Sequence, residues 1–256
     1  FSLKHPLIVL LLVVLGTALM ATQFPRVTFD NDPENMLARD EYVRVYHNLV
    51  KKKYDLYDFV IVGVVNDQHP DGIFNVDTLQ RIYRLTGALL SLKPSDKQQP
   101  SVTYPATPGR AAETVTVDLT PESAWRQMLN VAFRHDPNRL FDEEGRSCII
   151  SREIIAPSVV DNIKQAELGS LQIEYLMESP PTTRAEALEI RDDAMHNPLY
   201  KGTLVSEDQR AICLYLPLVE KKYSYNVAEL VKRLTAGWPT EDRVLITGLP
   251  VAEDTF

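Results

Sequence analysis

Apolar positions run without interruption near the start of the chain and then break into shorter, periodic stretches. No side chain from Pro6 to Pro25 is charged, and Leu7 to Ala21 reads LIVLLLVVLGTALMA. About 20 uncharged residues at about 1.5 Å per residue reach about 30 Å, the thickness of the hydrocarbon core of a bilayer. The pattern therefore predicts a retained transmembrane helix within residues 1–25, with the lipid bilayer as a partner.

Two other interpretations of this stretch stay open. A cleaved signal peptide would place Ala21 before the cut and Leu19 two residues earlier, where a small residue is preferred. A buried core helix would need protein on every side, because the stretch is apolar all round. Lys4 favours a cytoplasmic N-terminus with the large domain outside. Since the chain begins with Phe1 rather than Met, we expect it to be a piece of a longer protein.

The chain after this stretch alternates strand patterns with amphipathic helices. Residues 26–55 begin extended and turn helical, and their apolar stripe, which includes Val43 and Tyr46, is expected to pack on the following domain. Residues 56–256 are expected to form that domain. Its elements have the order βαβ-βαβ, which predicts an α+β, ferredoxin-like fold. They are strand 56–65, helix 77–92, strand 148–160, strand 211–218, helix 223–235 and strand 243–249.

An insertion at about residues 94–146 interrupts this order. Prolines at 94, 100, 105 and 108 predict a mobile connection over residues 94–109. A short helix is predicted after Pro121, with Trp125 and Met128 on its apolar face. Outside the insertion, strand 171–177 and a helix around residues 185–194 are also predicted.

The composition narrows the classes of partner. The chain has 24% charged residues, a net charge of -8 and no basic patch interleaved with aromatic residues. This balance argues against a nucleic-acid partner. An extracytoplasmic location would permit a disulfide between Cys148 and Cys213, but spacing alone does not show whether their Cα atoms come within about 7 Å.

Motifs for metal binding and catalysis are sparse. The five histidines have no zinc-binding spacing, and no phosphate-binding loop or nucleophile motif is present. Asp30, Asp32 and Glu34 are spaced like a calcium loop, but Asn35 stands where the loop needs glycine, and capping of a helix fits better. Residues 142–144 are expected to form a solvated acidic turn. We therefore expect no catalytic residue, no metal ligand and no cofactor.

Four stretches carry a family resemblance. They read FPRVTFDNDPENML, YDLYDFVIVGVVN, NPLYKGTLVSEDQRAICLYLPL and VLITGLPVAEDTF. Together with the apolar stretch before them, they resemble the first transmembrane helix and first porter domain of resistance-nodulation-division (RND) exporters. The most similar type is the single-polypeptide branch related to the MMPL lipid transporters and the hopanoid exporters. The insertion at 94–146 is the main departure.

The resemblance implies an ion-gradient-driven exporter of the bacterial inner membrane, with this domain on the periplasmic side. Its substrate would be hydrophobic or lipid-like, and its partner the remaining transmembrane half of the same polypeptide. The coupling residues would lie beyond residue 256, and no substrate-binding residue can be assigned from the sequence.

Two alternatives to an exporter remain. One is a single-pass periplasmic binding or scaffold protein. The other is a membrane-anchored hydrolase whose site is assembled from dispersed residues such as His69, Asp71 or His135.

Overall fold

A computed structural model describes residues 6–23, 36–95, 99–133, 136–165 and 170–255. The centre of the fold is a three-stranded antiparallel sheet whose strands lie in the order β7 (Ala211–Leu218), β1 (Asp58–Val65) and β8 (Arg243–Thr247). Gly63 of the central strand lies opposite Cys213 on one side and Leu245 on the other. The helices are α1 (Pro6–Ala21), α2 (Tyr42–Lys53), α3 (Val76–Leu90), α4 (Ala124–Phe133), α5 (Arg184–His196), α6 (Ser224–Thr235) and α7 (Leu249–Thr255). The strands are β1 (Asp58–Val65), β2 (Lys93–Pro94), β3 (Pro100–Tyr104), β4 (Glu113–Thr116), β5 (Asp161–Gln165), β6 (Leu171–Tyr175), β7 (Ala211–Leu218) and β8 (Arg243–Thr247).

One face of this sheet is buried under helices. Alternate residues of a strand point to opposite faces, and Val60, Val62 and Val64 of β1 are fully buried. The buried side chains of α3 and α6 belong to the same hydrophobic core. The Asn75 side chain caps α3 by accepting the Thr78 N–H at 2.9 Å. The predicted helix 77–92 and strand 56–65 therefore correspond closely to α3 and β1.

The edge of β7 that faces away from β1 pairs with isolated residues of other segments rather than with one continuous strand. Single antiparallel bridges join Ile149 to Leu218, Ile155 to Tyr215 and Val205 to Ile212. A 3-10 turn at Ser151–Glu153 separates the first two bridges. The prediction of a continuous strand over 148–160 is therefore wrong, because the polar residues of that turn lead the chain away from the sheet. The α+β class is confirmed, whereas a four-stranded ferredoxin-like sheet is not.

The insertion forms ordered structure around α3. Strands β2, β3 and β4 make a second antiparallel sheet, and Val102 of β3 is fully buried. The Thr103 N–H donates to the Ser91 hydroxyl at 2.6 Å, which joins β3 to the end of α3. The prediction of a mobile connection over residues 94–109 is wrong for the described part of that segment, because these contacts hold it against the helix.

A two-stranded hairpin, β5–β6, turns its polar face toward α5. Lys164 lies 2.7 Å from a carboxylate oxygen of Asp193 and 2.9 Å from one of Glu174. These hydrogen bonds raise the pKa of Lys164 above its ordinary value, and the bond to Asp193 contributes most. Ile163 and Ile173 face each other across the hairpin and are 61% and 67% exposed. The hairpin therefore presents its apolar face outward.

Helices α1 and α2 have no buried residue. Helix α1 has 16 residues, and no helix within the described ranges combines the length and apolar character that crossing a membrane requires. The predicted transmembrane helix is thus not confirmed. The predicted packing of the α2 stripe on the domain is wrong, since Val43 and Tyr46 are more than half exposed.

Candidate functional site

A polar cavity of about 220 Å³ lies where β1 ends and α3 begins. It collects side chains from the turn after β1, from the first turns of α3, from the first residue of α5 and from the segment that precedes β8. Its lining residues are Asn66, His69, Asp71, Asn75, Val76, Asp77, Thr78, Arg81, Arg184 and Glu241.

The turn after β1 is organised by Asn66. Its side-chain oxygen accepts the N–H of His69 at 2.9 Å and that of Gln68 at 3.3 Å. Asparagine is favoured in turns because its short side chain can satisfy backbone groups two and three residues further on. This bonding bends the chain back so that the segment from His69 to Asp71 faces the start of α3.

A buried carboxylate, that of Asp242, lies beneath the cavity. Its side chain is 0% exposed and forms an ion pair with Arg81. One of its oxygens also accepts the Asn66 amide at 2.8 Å and the Thr78 hydroxyl at 2.7 Å. A buried carboxylate needs such partners because its desolvation is costly. The group therefore joins the end of β1, helix α3 and the start of β8.

The second ion pair of the cavity joins Asp71 to Arg184. Two nearly parallel hydrogen bonds of 2.7 and 2.6 Å connect the Arg184 guanidinium to the two carboxylate oxygens. This hydrogen bonding lowers the pKa of Asp71 below its ordinary value. The pair links the turn after β1 to the start of α5, across 113 residues of sequence.

The stability of the domain is expected to depend on pH through this pair. Because the pKa of Asp71 is lowered in the folded state, its contribution is complete above the ordinary carboxyl pKa and is lost as the pH falls through the lowered value. Asp71→Asn should reduce stability at pH 7 and make little difference once the pH is well below about 4. Urea unfolding of the wild type and variant across this range would measure it. The exposed Glu143→Gln serves as control, and an equal loss at every pH would contradict the assignment.

The hydrolase alternative named His69, Asp71 and His135. The structure brings His69 and Asp71 together, whereas His135 lies outside the described residues. The His69 Nδ1 accepts the backbone N–H of Asp71 at 3.1 Å, and the Asp71 carboxylate is held by Arg184. The cavity lining contains no serine or cysteine. The arrangement can bind small polar groups.

Two further candidates from the sequence are a calcium loop and an acidic turn. No group of three or more His, Cys, Asp or Glu side chains is placed to hold a metal ion in the part of the chain that the structure describes. Asp30, Asp32 and Glu34 lie outside that part. Asp142 accepts the backbone N–H of Arg146 at 2.8 Å, which with the other hydrogen bonds from Arg146 lowers the pKa of its carboxyl.

Both cysteines are free thiols. Burial raises the pKa of Cys148 to about 12. Burial also raises the pKa of Cys213. Cys213 is only partly buried, so its thiol is the more accessible of the two.

The second feature with functional potential is the sheet face that lies opposite the buried valines. Alternation along the strands places Phe59, Ile61, Cys213, Tyr215 and Leu245 on this face, which we call the open face. The rings of Phe59 and Tyr215 meet edge to face, with 6.2 Å between their centroids. Leu245 is 55% exposed and the others are partly buried. The open face therefore presents an apolar surface that the helices do not cover.

Comparisons of the chain with protein-family models, with curated proteins and with solved structures found no match. The resemblance to RND exporters thus depends on the four sequence stretches, and family membership stays a prediction.

Proposed function

We propose that the chain is part of an ion-gradient-driven, RND-type exporter and that its domain contacts hydrophobic or amphiphilic molecules on the periplasmic side of the bacterial inner membrane. The observation that carries this proposal is the open face. It is an apolar surface on the central sheet, and contiguous apolar surface that solvent can reach is characteristic of binding regions.

The strand order supports a ferredoxin-like domain, which we include in the proposal. β7, α6 and β8 form a βαβ unit with β1 inserted between its two strands, antiparallel to both. The segment from Ile149 to Ile155 bridges the far side of β7, where a fourth strand would pair. If this segment is counted as the fourth strand, the sheet has the ferredoxin-like strand order, and the turn interrupts its edge strand.

Helices α1 and α2 support a location at a membrane. The uncharged sequence that contains α1 continues to Pro25, and the side chains of α1 are largely exposed. Helix α2 exposes Tyr42, Val45, Tyr46 and Leu49 along one side and ends in Lys51–Lys53. Apolar helices and basic amphipathic helices both favour lipid. We propose that the stretch around α1 inserts into the bilayer and holds the domain beside it.

Binding on the open face should protect Cys213 from thiol reagents. With the chain in phosphatidylcholine nanodiscs, oleate is expected to slow maleimide labelling of Cys213 several-fold, because Cys213 lies beside Ile61 and Tyr215 on this face. Leu245→Asp should abolish the protection with little change in unfolding free energy, since Leu245 is 55% exposed. Labelling would be followed by mass spectrometry.

A cysteine placed at Glu143, an exposed residue of the acidic turn, provides the control for unspecific effects of oleate. Equal slowing at both positions, or protection that survives Leu245→Asp, would contradict binding on the open face. The exporter itself is tested by sequencing the coding region downstream of residue 256. A region without further apolar spans would favour the single-pass binding or scaffold protein instead.

A further inference from the structure

A second, smaller cavity of about 150 Å³ lies between α3 and the turn that connects β3 to β4. We call it the loop cavity. Three of its lining residues are arginines, and one, Asp77, is acidic and exposed. The lining consists of Asp77, Gln80, Arg81, Arg84, Thr107, Pro108, Gly109 and Arg110.

Arg84 carries a buried positive charge into this lining. It is 9% exposed, and its guanidinium donates to the carbonyl oxygens of Pro105 at 2.8 Å and Ala111 at 3.2 Å. It also lies over the Tyr104 ring, 5.1 Å from the centroid. Among the described residues no carboxylate forms an ion pair with Arg84. A buried cation ordinarily has an anionic partner, because the desolvation of its charge is costly.

Thr107 provides an independent sign of a missing partner. The residue is 8% exposed, and its hydroxyl has no hydrogen-bond partner. Buried polar groups are nearly always hydrogen-bonded, since leaving one unsatisfied is destabilising. Thr107 belongs to a tight turn closed by reciprocal backbone hydrogen bonds of 2.9 Å with Arg110. The turn therefore places Thr107 and a third arginine in the lining of the same cavity.

The side chains and the volume of the loop cavity indicate which class of ligand fits it. Arginine guanidinium groups match the oxygens of phosphate with paired, charge-assisted hydrogen bonds, and a threonine hydroxyl can donate a further one. Arg81 is already paired with Asp242, and the exposed Asp77 offsets one further charge, so Arg84 and Arg110 leave the lining with a single positive charge in excess. A cavity of about 150 Å³ is large enough for one phosphate group together with bound water.

We propose that the loop cavity binds a phosphate group, carried by a small soluble molecule or by a lipid headgroup. Arg84 and Arg110 neutralise the anion, and the Thr107 hydroxyl donates to one of its oxygens. This site is separate from the open face, and it holds whether or not the chain transports hydrophobic molecules.

Titration with inorganic phosphate at constant ionic strength tests the proposal on the whole chain in mild detergent. We expect saturable binding, seen as a rise in the thermal unfolding midpoint and as broadening in phosphorus NMR. Arg110→Gln should weaken binding about tenfold, because it removes one charge-assisted contact. Arg152→Gln is the matched control, because Arg152 is exposed and does not line the cavity.

Thr107→Val separates ligand binding from folding. Without phosphate, the variant should be as stable as the wild type or more so, because an unsatisfied buried hydroxyl has been replaced by a methyl group of similar shape. Its affinity for phosphate should nevertheless fall. Absence of saturable binding by the wild type, or affinity unchanged in both Arg110→Gln and Thr107→Val, would overturn the proposal.

The source of the phosphate is distinguished by two further probes. Glycerol 3-phosphate that binds as tightly as a short-chain phosphatidic acid would assign the site to soluble phosphate compounds. Clearly tighter binding of the phosphatidic acid would assign it to a lipid headgroup. Either result supports a phosphate site, provided that Arg110→Gln weakens the binding.

Discussion

Replacing Asp242 by alanine is expected to lower the free energy of unfolding by about 3 kcal/mol, since removing one member of a buried ion pair leaves the other uncompensated. The carboxylate is 0% exposed and is the common acceptor for Arg81, Asn66 and Thr78. Its loss leaves the Thr78 hydroxyl without its acceptor and leaves the Asn66 amide with only the longer contact of 3.4 Å to Thr78. Urea unfolding of the whole chain in mild detergent would measure the change.

The neighbouring residue supplies the control for this experiment. Glu241 is exposed, and Glu241→Ala should change the unfolding free energy by less than about 0.5 kcal/mol. If Asp242→Ala were as mild as Glu241→Ala, the carboxylate would not join the three elements as described. A double variant, Asp242→Ala with Arg81→Met, should recover part of the loss because it removes the unpaired charge as well.

Gly248→Ala is expected to cost about 3 kcal/mol, through backbone strain and a steric clash together. Gly248 connects β8 to α7 with a φ of +133°, which side-chain-bearing residues rarely adopt. A Cβ atom there would also lie well inside van der Waals contact with the backbone oxygen of Phe59 in β1. Calorimetric or urea unfolding would report the loss.

Gly237 provides the comparison for Gly248. It follows the end of α6, has no positive φ, and has no other atom within 4 Å of a Cβ built on it. Gly237→Ala should therefore leave the unfolding free energy nearly unchanged. Equal effects at the two glycines would show that the close approach of Gly248 to β1 is unimportant.

Elements with a strong local pattern could be predicted from the sequence. Helix α3 has the 3.6-residue repeat and the Asn75 cap in its own sequence, and β1 is a run of β-branched residues. The structure places both within two residues of the predicted bounds. Such patterns indicate burial on one face of a helix or at the centre of a sheet. Each segment carries this information in its own sequence.

Elements that depend on distant partners could not be predicted in the same way. Residues 148–160 have the composition of a strand, yet pairing with β7 is limited to two bridges around the turn at Ser151–Glu153. Strand β5 was not predicted, because its polar residues satisfy Asp193 and Glu174 rather than a core. In both cases tertiary contacts decide the conformation, and the local sequence preference alone does not predict it.

The polar cavity shows the same limit for a site. His69 and Asp71 could be named from the sequence because they are close in the chain. Asp242 and Arg184 were missed, since they lie 176 residues from Asn66 and 113 residues from Asp71 respectively. No local signal marks a lone aspartate before a strand as buried. Only an alignment of related sequences or a structure could have joined these residues.

The central position of β1 also governs the order in which the chain can fold. Both of its partners come much later in the sequence, with β7 beginning at Ala211 and β8 at Arg243. At about 5–20 residues per second, synthesis leaves this strand without its neighbours for roughly 10–30 s. During that interval its valines can pair with other nascent chains, so contacts of this range make folding slow and exposed to aggregation. We therefore expect the yield of folded protein to depend on chaperones that bind the chain soon after residue 65 has emerged.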